Sequence, residues 1–256
     1  MSALFVAYRG GDPQNGGWGP VGRLEHDGDL YRFCYTRGAS TLPGFRPFPQ
    51  MGDLSQVYES EELFPLFDNR LLSPSRPEYE AFLRWGGFDP NNPPDPIAIL
   101  GVTEGIRQTD QVEVFPCPLP DFEGCYVNKF FLHGIRWTDP NPQERINQLQ
   151  PGEPLRLIPD VENLSDPNAV AVWTNDPATS LRIGFVPRYL ARDIRRVLNS
   201  CDPDFIELAV ERVNRDAPLQ QRLLCRVRSC WPDDFQPCSD PEFLPISADV
   251  PVTCPA

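Results

Sequence analysis

Proline limits this chain more than any other residue. It fills 31 of 256 positions, about 12% where ~5% is usual. Each interior proline removes a backbone donor and clashes with the preceding helical turn. Long helices are therefore excluded, and short strands, turns and brief helices must dominate. Hydrophobic residues make up 40% and aromatics 11% of the sequence, enough for real cores and too much for disorder throughout. The length leaves room for two modest domains, at ~100–200 residues each. No apolar run approaches the ~20 residues that span a bilayer. The opening Met1-Ser-Ala-Leu-Phe-Val-Ala-Tyr-Arg9 lacks the basic and apolar regions of a signal peptide and reads as a first strand. The expectation is a soluble, cytoplasmic protein. Its 8 cysteines then read as free thiols, because disulfide frameworks belong to much smaller secreted chains.

A net charge of -13 argues against nucleic acid until it is divided along the chain. Residues 1–128 carry 9 basic and 18 acidic side chains, residues 129–231 carry 14 and 13, and residues 232–256 carry none and 5. Only the middle-to-late segment would not repel phosphate. The same divisions mark three expected parts: a domain over 1–128, a second over 129–231, and an acidic, Pro-rich, loosely ordered tail over 232–256.

In the first part, Leu4 to Tyr8 alternates as a strand and Gly10 to Gly19 is a loop. Val21-Gly-Arg-Leu24 and Leu30-Tyr-Arg-Phe-Cys-Tyr35 flank an Asp-Gly pair, a strong short-range hairpin signal. Short helices are expected at Glu61–Leu72 and Pro77–Trp85, and the Pro-rich run from Asp89 to Pro96 is a loop. Val21-Gly-Arg-Leu24, Tyr31-Arg-Phe33, Gly44-Phe-Arg-Pro-Phe-Pro49, the stretch Tyr58 to Leu72 and Asp95-Pro-Ile-Ala-Ile-Leu-Gly-Val102 together resemble the N-terminal subdomain of HipA-type toxin kinases. The resemblance covers residues 3–118 and implies a small mixed α/β domain built on a mixed sheet. The kinase's catalytic Asp, Asn and phosphate loop have no counterpart here, so phosphoryl transfer does not carry over.

From Lys129 the pattern changes. Phe130 to Trp137, Pro154 to Ile158, Ala169 to Trp173, Leu181 to Val186, Phe205 to Val213 and Gln221 to Cys230 read as strands. Arg145–Leu149 reads as one helical turn, and Pro187 opens an amphipathic helix to about Leu198. Many short strands with one helix suggest a small barrel, so the fold class is α+β, mainly β. Gly134-Ile-Arg-Trp137, Pro154-Leu-Arg-Leu157, Glu162-Asn-Leu-Ser-Asp-Pro-Asn-Ala-Val-Ala-Val172 and Ile183-Gly-Phe-Val-Pro-Arg-Tyr-Leu-Ala191 resemble the HIRAN domain, a module attached to helicase-like remodellers and found alone or fused in bacteria. The resemblance implies an OB-like or SH3-like barrel that binds single-stranded DNA at its 3′-hydroxyl end.

The candidate site residues follow from that resemblance and from their chemistry. Trp137 can stack on a terminal base, and Arg136 can hold phosphate bidentately; the alternative is a core Trp beside a surface Arg. Asp166 is misplaced in a generic DNA groove, but it can accept a hydrogen bond from a sugar hydroxyl, or else cap its own turn before Pro167. Asn163 and Asn168 read as turn-structuring residues beside it. Ser165 stands where the family often has an aromatic. Arg188, in the helix's first turn, matches the family's basic residue near phosphate, and a helix start favours an anion. Arg192, Arg195 and Arg196 share the helix, as a solvated face or a basic one, and Phe185 takes the place of a polar contact residue.

Other chemistries lack raw material. With only His26 and His133, neither a Ser-His-Asp triad nor a His-rich metal centre is built. The late cysteines contain no C-x-x-C knuckle, so no zinc is expected. The loop after Gly10 lacks the G-K-[ST] ending of a phosphate loop. No cofactor is implied. Two readings stay open: a non-enzymatic, single-stranded-DNA-binding protein of the DNA-repair kind, with a protein partner on its N-terminal domain, and a protein–protein adaptor whose barrel no longer binds DNA. A hydrolase or helicase accessory is a lesser third.

Overall fold

A computed structural model describes residues 2–10, 17–107, 109–137, 140–176 and 180–250. The chain separates into two compact units, one built from 1–79, 94–117 and 236–256, the other from 80–93 and 118–235.

The first unit holds a five-stranded sheet of β1 (Ser2–Arg9), β2 (Trp18–His26), β3 (Tyr31–Tyr35), β4 (Val57–Ser60) and β5 (Val112–Pro116), in the order β4-β3-β2-β1-β5. Every pairing in it is antiparallel, so the mixed sheet expected here is not what forms. The Asp-Gly hairpin is present: Asp27 Oδ1 accepts from the amides of Asp29 and Leu30, and Gly28 takes a φ of 103°. Leu4, Val6, Leu24, Phe33, Tyr35 and Phe67 meet in the core. Three short helices sit in the connections, α1 (Gly38–Thr41), α2 (Pro65–Asp68) and, capped by Asp95, α4 (Pro96–Thr103); α3 (Tyr79–Trp85) falls where the two units divide. The helix expected over Glu61–Leu72 is reduced to α2 because Pro65 can only begin a helix, not sit inside one.

Residues 236–250 are not a loose tail. The Arg37 amide donates to the Leu244 carbonyl at 2.8 Å and the Ile246 amide to the Tyr35 carbonyl at 2.9 Å. Phe243 sets its edge against Phe5 at 5.0 Å. Proline spacing hides this, since the segment binds through isolated backbone bonds rather than through a strand.

The second unit is a six-stranded antiparallel sheet of β6 (Cys125–Phe131), β7 (Pro154–Pro159), β8 (Val170–Thr174), β9 (Arg182–Phe185), β10 (Glu207–Val213) and β11 (Leu223–Cys230), in the order β6-β11-β10-β7-β8-β9. The sheet curls until its two edges meet: just past β6, His133 pairs with Phe185 of β9 through mutual bonds of 3.0 and 2.9 Å. The unit also holds α5 (Pro140–Gln148) and α6 (Arg188–Ser200). In α6, Leu190, Ile194 and Val197 recur at helical spacing and are buried with Tyr189 and Ala191. Pro187 precedes the helix at the one place its missing donor is harmless.

Two expectations need correction. The strand expected over Phe130 to Trp137 stops at Phe131, and Ile135–Trp137 is a 3₁₀ turn. Gly134, at a φ of 70°, redirects the chain there, in a conformation that side chains resist. The cysteines are also not all free. Cys201, next after α6, and Cys230, at the end of β11, form a disulfide across a Cα separation of 6.1 Å.

Candidate nucleic-acid interface

The loop between β7 and β8 is organised by Asn163. Its Oδ1 accepts from the amides of Ser165 and Asp166, both at 3.0 Å, and its Nδ2 donates to Asp160 Oδ2 at 3.2 Å. Asn163 thus shapes the turn that presents Asp166. Asp166 divides its two oxygens. Oδ1 accepts from the Asn168 amide at 2.9 Å, which is the turn-capping role. Oδ2 lies 4.0 Å from Arg188 Nε, too far for a hydrogen bond, with the carboxylate only 15% exposed. One oxygen therefore fixes the loop while the other holds lone pairs beside a guanidinium. Asn168 contributes its backbone to this arrangement and is itself half-buried.

Helix α6 supplies the cations. Arg188, Arg192 and Arg195 stand at i, i+4 and i+7 and so share a face. At one end of that face Arg188 faces Asp166; at the other, Arg195 Nη1 donates to the Pro167 carbonyl at 3.1 Å. Arg192 lies between them and is exposed. Arg196 turns elsewhere, to the Asp234 carbonyl and the Phe235 ring. Spacing alone separates these arginines, since Arg192 and Arg195 lie four and seven residues past Arg188 and Arg196 lies eight.

Phe185 occupies the corner where β9 turns into α6. A side chain on Gly134 would come within 2.9 Å of Phe185 Cδ2, so this glycine exists to let the ring lie close. The Arg182 guanidinium carbon sits 5.4 Å from the ring centroid, a contact that no spacing rule anticipated. Arg136 is exposed on the 3₁₀ turn two residues past Gly134. No hydrogen bond or ion pair joins it to Asp166 or Arg188 among the described residues. The backbone of Trp137 closes the same turn, but its side chain lies outside the described residues. The backbone links the parts: His133 to Phe185, Val186 to Val170 and Ala169 to Asp166. Asn163, Asp166, Asn168 and Arg188 thus come together in contact, Phe185 joins them through the chain, and Arg136 lies on the adjoining turn.

One group of potential metal ligands occurs among the described residues, Asp121, Glu123 and Cys125 within 4.8 Å of one another. It is already knitted together. Asp121 Oδ1 accepts from the amides of Glu123 and Cys125, and Arg228 bonds both Glu123 and the Cys125 sulfur. Of the late cysteines, Cys230 is in the disulfide, Cys225 is wholly buried, and Cys254 lies outside the described residues.

No curated protein matches the chain. A crystal structure of a protein from Lactobacillus plantarum aligns with 41% of this chain and 97% of its own, at 19% identity and a TM-score of 0.32. The family comparison falls on the second unit: residues 126–230, which hold Arg136, Asn163, Asp166, Asn168, Phe185 and the arginines of α6, match the HIRAN domain.

Proposed function

We propose that the curled sheet of residues 126–230 binds single-stranded DNA at a free 3′-hydroxyl end, without chemistry of its own. The observation that carries this reading is the divided carboxylate of Asp166. A terminal nucleotide offers a hydroxyl proton and, one linkage back, a phosphate. Asp166 Oδ2 accepts the first, and Arg188, 4.0 Å away, attracts the second. A nonspecific groove has no use for an acid at its centre; a reader of strand ends does. Arg192 and Arg195 extend the cationic face along α6, Arg136 is exposed on the 3₁₀ turn, and Trp137 is assigned the stacking role on a terminal base that the resemblance implies. Asn163 and Asn168 hold the loop, and Phe185 forms the corner. The HIRAN match supports the same class of ligand. For the first unit, we propose a role in holding a protein partner, on the resemblance of residues 3–118 to the N-terminal subdomain of HipA-type kinases.

The test is a fluorescence titration with oligonucleotides ending in a 3′-hydroxyl, a 3′-phosphate or a blunt duplex. The hydroxyl end should bind best, and Asp166→Ala should erase that preference while sparing residual affinity. Equal binding of the hydroxyl and phosphate ends by the unaltered protein would end the reading.

A further inference from the structure

A second cationic and aromatic feature lies on the strands themselves. In the register of the sheet, Arg156 of β7 pairs with Trp173 of β8, and Trp173 pairs with Arg182 of β9. Arg156 and Trp173 are directly paired and project from one face. A bulge interrupts the β8–β9 ladder beside Trp173, and Arg182 joins that face through its contact with Phe185, whose partner Ala171 lies two residues from Trp173. The three side chains thus form a row across three strands. Both arginines are exposed and the indole between them is half-buried. The indole N–H is shielded from water and has no acceptor among the described residues, a state native proteins rarely leave unresolved. Beyond Arg182 the row runs on to Phe185, over which that guanidinium sits. Phe185 is the corner residue of the cleft that holds Asp166 and Arg188. On the opposite side Glu207, next to the Leu208 that pairs with Leu155, bounds the row past Arg156.

We infer that the row Arg156, Trp173, Arg182 carries the 5′-ward continuation of the single strand whose end the cleft holds. The chemistry is that of a sequence-tolerant single-strand track, arginines for successive phosphates and an aromatic face for a base. It rests on the end-binding reading for its direction but not for its existence. Charge complementarity selects the occupant: two exposed guanidiniums flank an indole, which suits a phosphodiester strand better than an apolar peptide.

The experiment compares, on the full chain, a trinucleotide with a twelve-residue oligodeoxynucleotide, each ending in a 3′-hydroxyl or a 3′-phosphate and labelled at the 5′ end. Affinity should rise with length, R156A should remove part of that rise while leaving the trinucleotide unchanged, and R156A/R182A should abolish most of it. Each phosphate neutralised on a single strand adds about 0.7 to the salt slope. Two arginines thus make the unaltered protein lose about sevenfold more affinity for the long strand between roughly 50 and 200 mM salt than the double variant loses. Both side chains are exposed, so the variant should fold, which circular dichroism checks. An unchanged length dependence in R156A/R182A overturns the inference. If hydroxyl and phosphate ends bind alike while the double variant still loses the length effect, the end reading fails and the track stands.

Discussion

Cutting the Cys201–Cys230 bond should loosen the second unit by a predictable amount. The two cysteines are 29 positions apart, and closing a loop of that length removes chain entropy worth about 3.6 kcal/mol at 25 °C. With an m-value of ~2–3 kcal/mol per molar urea, the midpoint should fall by ~1.2–1.8 M. Trp85, Trp137, Trp173 and Trp231 all belong to this unit, so tryptophan emission follows it closely. The assay is urea unfolding with and without dithiothreitol, beside C201S/C230S as a control that should ignore the reductant. The bond ties the end of α6 to the end of β11, so the same change should relax the helix that carries Arg188, Arg192 and Arg195. Thiol titration in guanidinium without reductant should count no more than six of the 8 cysteines. A count of eight, or a midpoint indifferent to reductant, would refute the reasoning.

Gly134→Ala should cost at least ~1–2 kcal/mol from the left-handed backbone alone, because its β-carbon would also meet Phe185 Cδ2 at 2.9 Å; chemical denaturation measures the loss, and an unchanged midpoint would show that the turn yields freely. Asn163→Ala removes the acceptor shared by the Ser165 and Asp166 amides and should cost about 1 kcal/mol, with a lower ratio of hydroxyl-end to phosphate-end affinity; a preserved ratio would show that Asp166 is held without it. In the first unit, burial pushes the Cys34 thiol up to about 11 and the Tyr35 hydroxyl up to about 12. Folding therefore favours the neutral forms, and the stability they contribute is complete below the unfolded-state values of ~9 and ~10 and is lost as pH rises through the folded-state ones. Unfolding monitored from pH 8 to 12 should show this decline, and Tyr35→Phe, which also removes the bonds to Met51 and Phe48, should flatten its upper part; an identical alkaline limb would exclude Tyr35 as a source.

The strands were legible because alternation survives in β7 and β11 and a short apolar run marks β8, and α6 because Leu190, Ile194 and Val197 repeat at helical spacing. What escaped depends on tertiary partners. Gly134 stops a strand-like run only because Phe185 lies over it. Cysteine spacing does not encode pairing, so Cys201 and Cys230 could not be matched. The anchoring of Leu244 and Ile246 beside β3 uses backbone atoms, which are the same at every position. In the site, Asn163 was legible as a turn former, whereas the division of labour between the two oxygens of Asp166 required the position of Arg188. The row through Trp173 was invisible because strand register, not sequence spacing, creates it.

The pairing of His133 with Phe185 has a consequence for self-association. A sheet with open margins invites another chain to add a strand. Here β9 is only four residues long, its last residue is already bonded to His133, and the His133 carbonyl crowds Gly184 so closely that even a methyl group would not fit. Charged Arg182 occupies the strand's other end. That margin offers no template on which fibrils or swapped copies can grow.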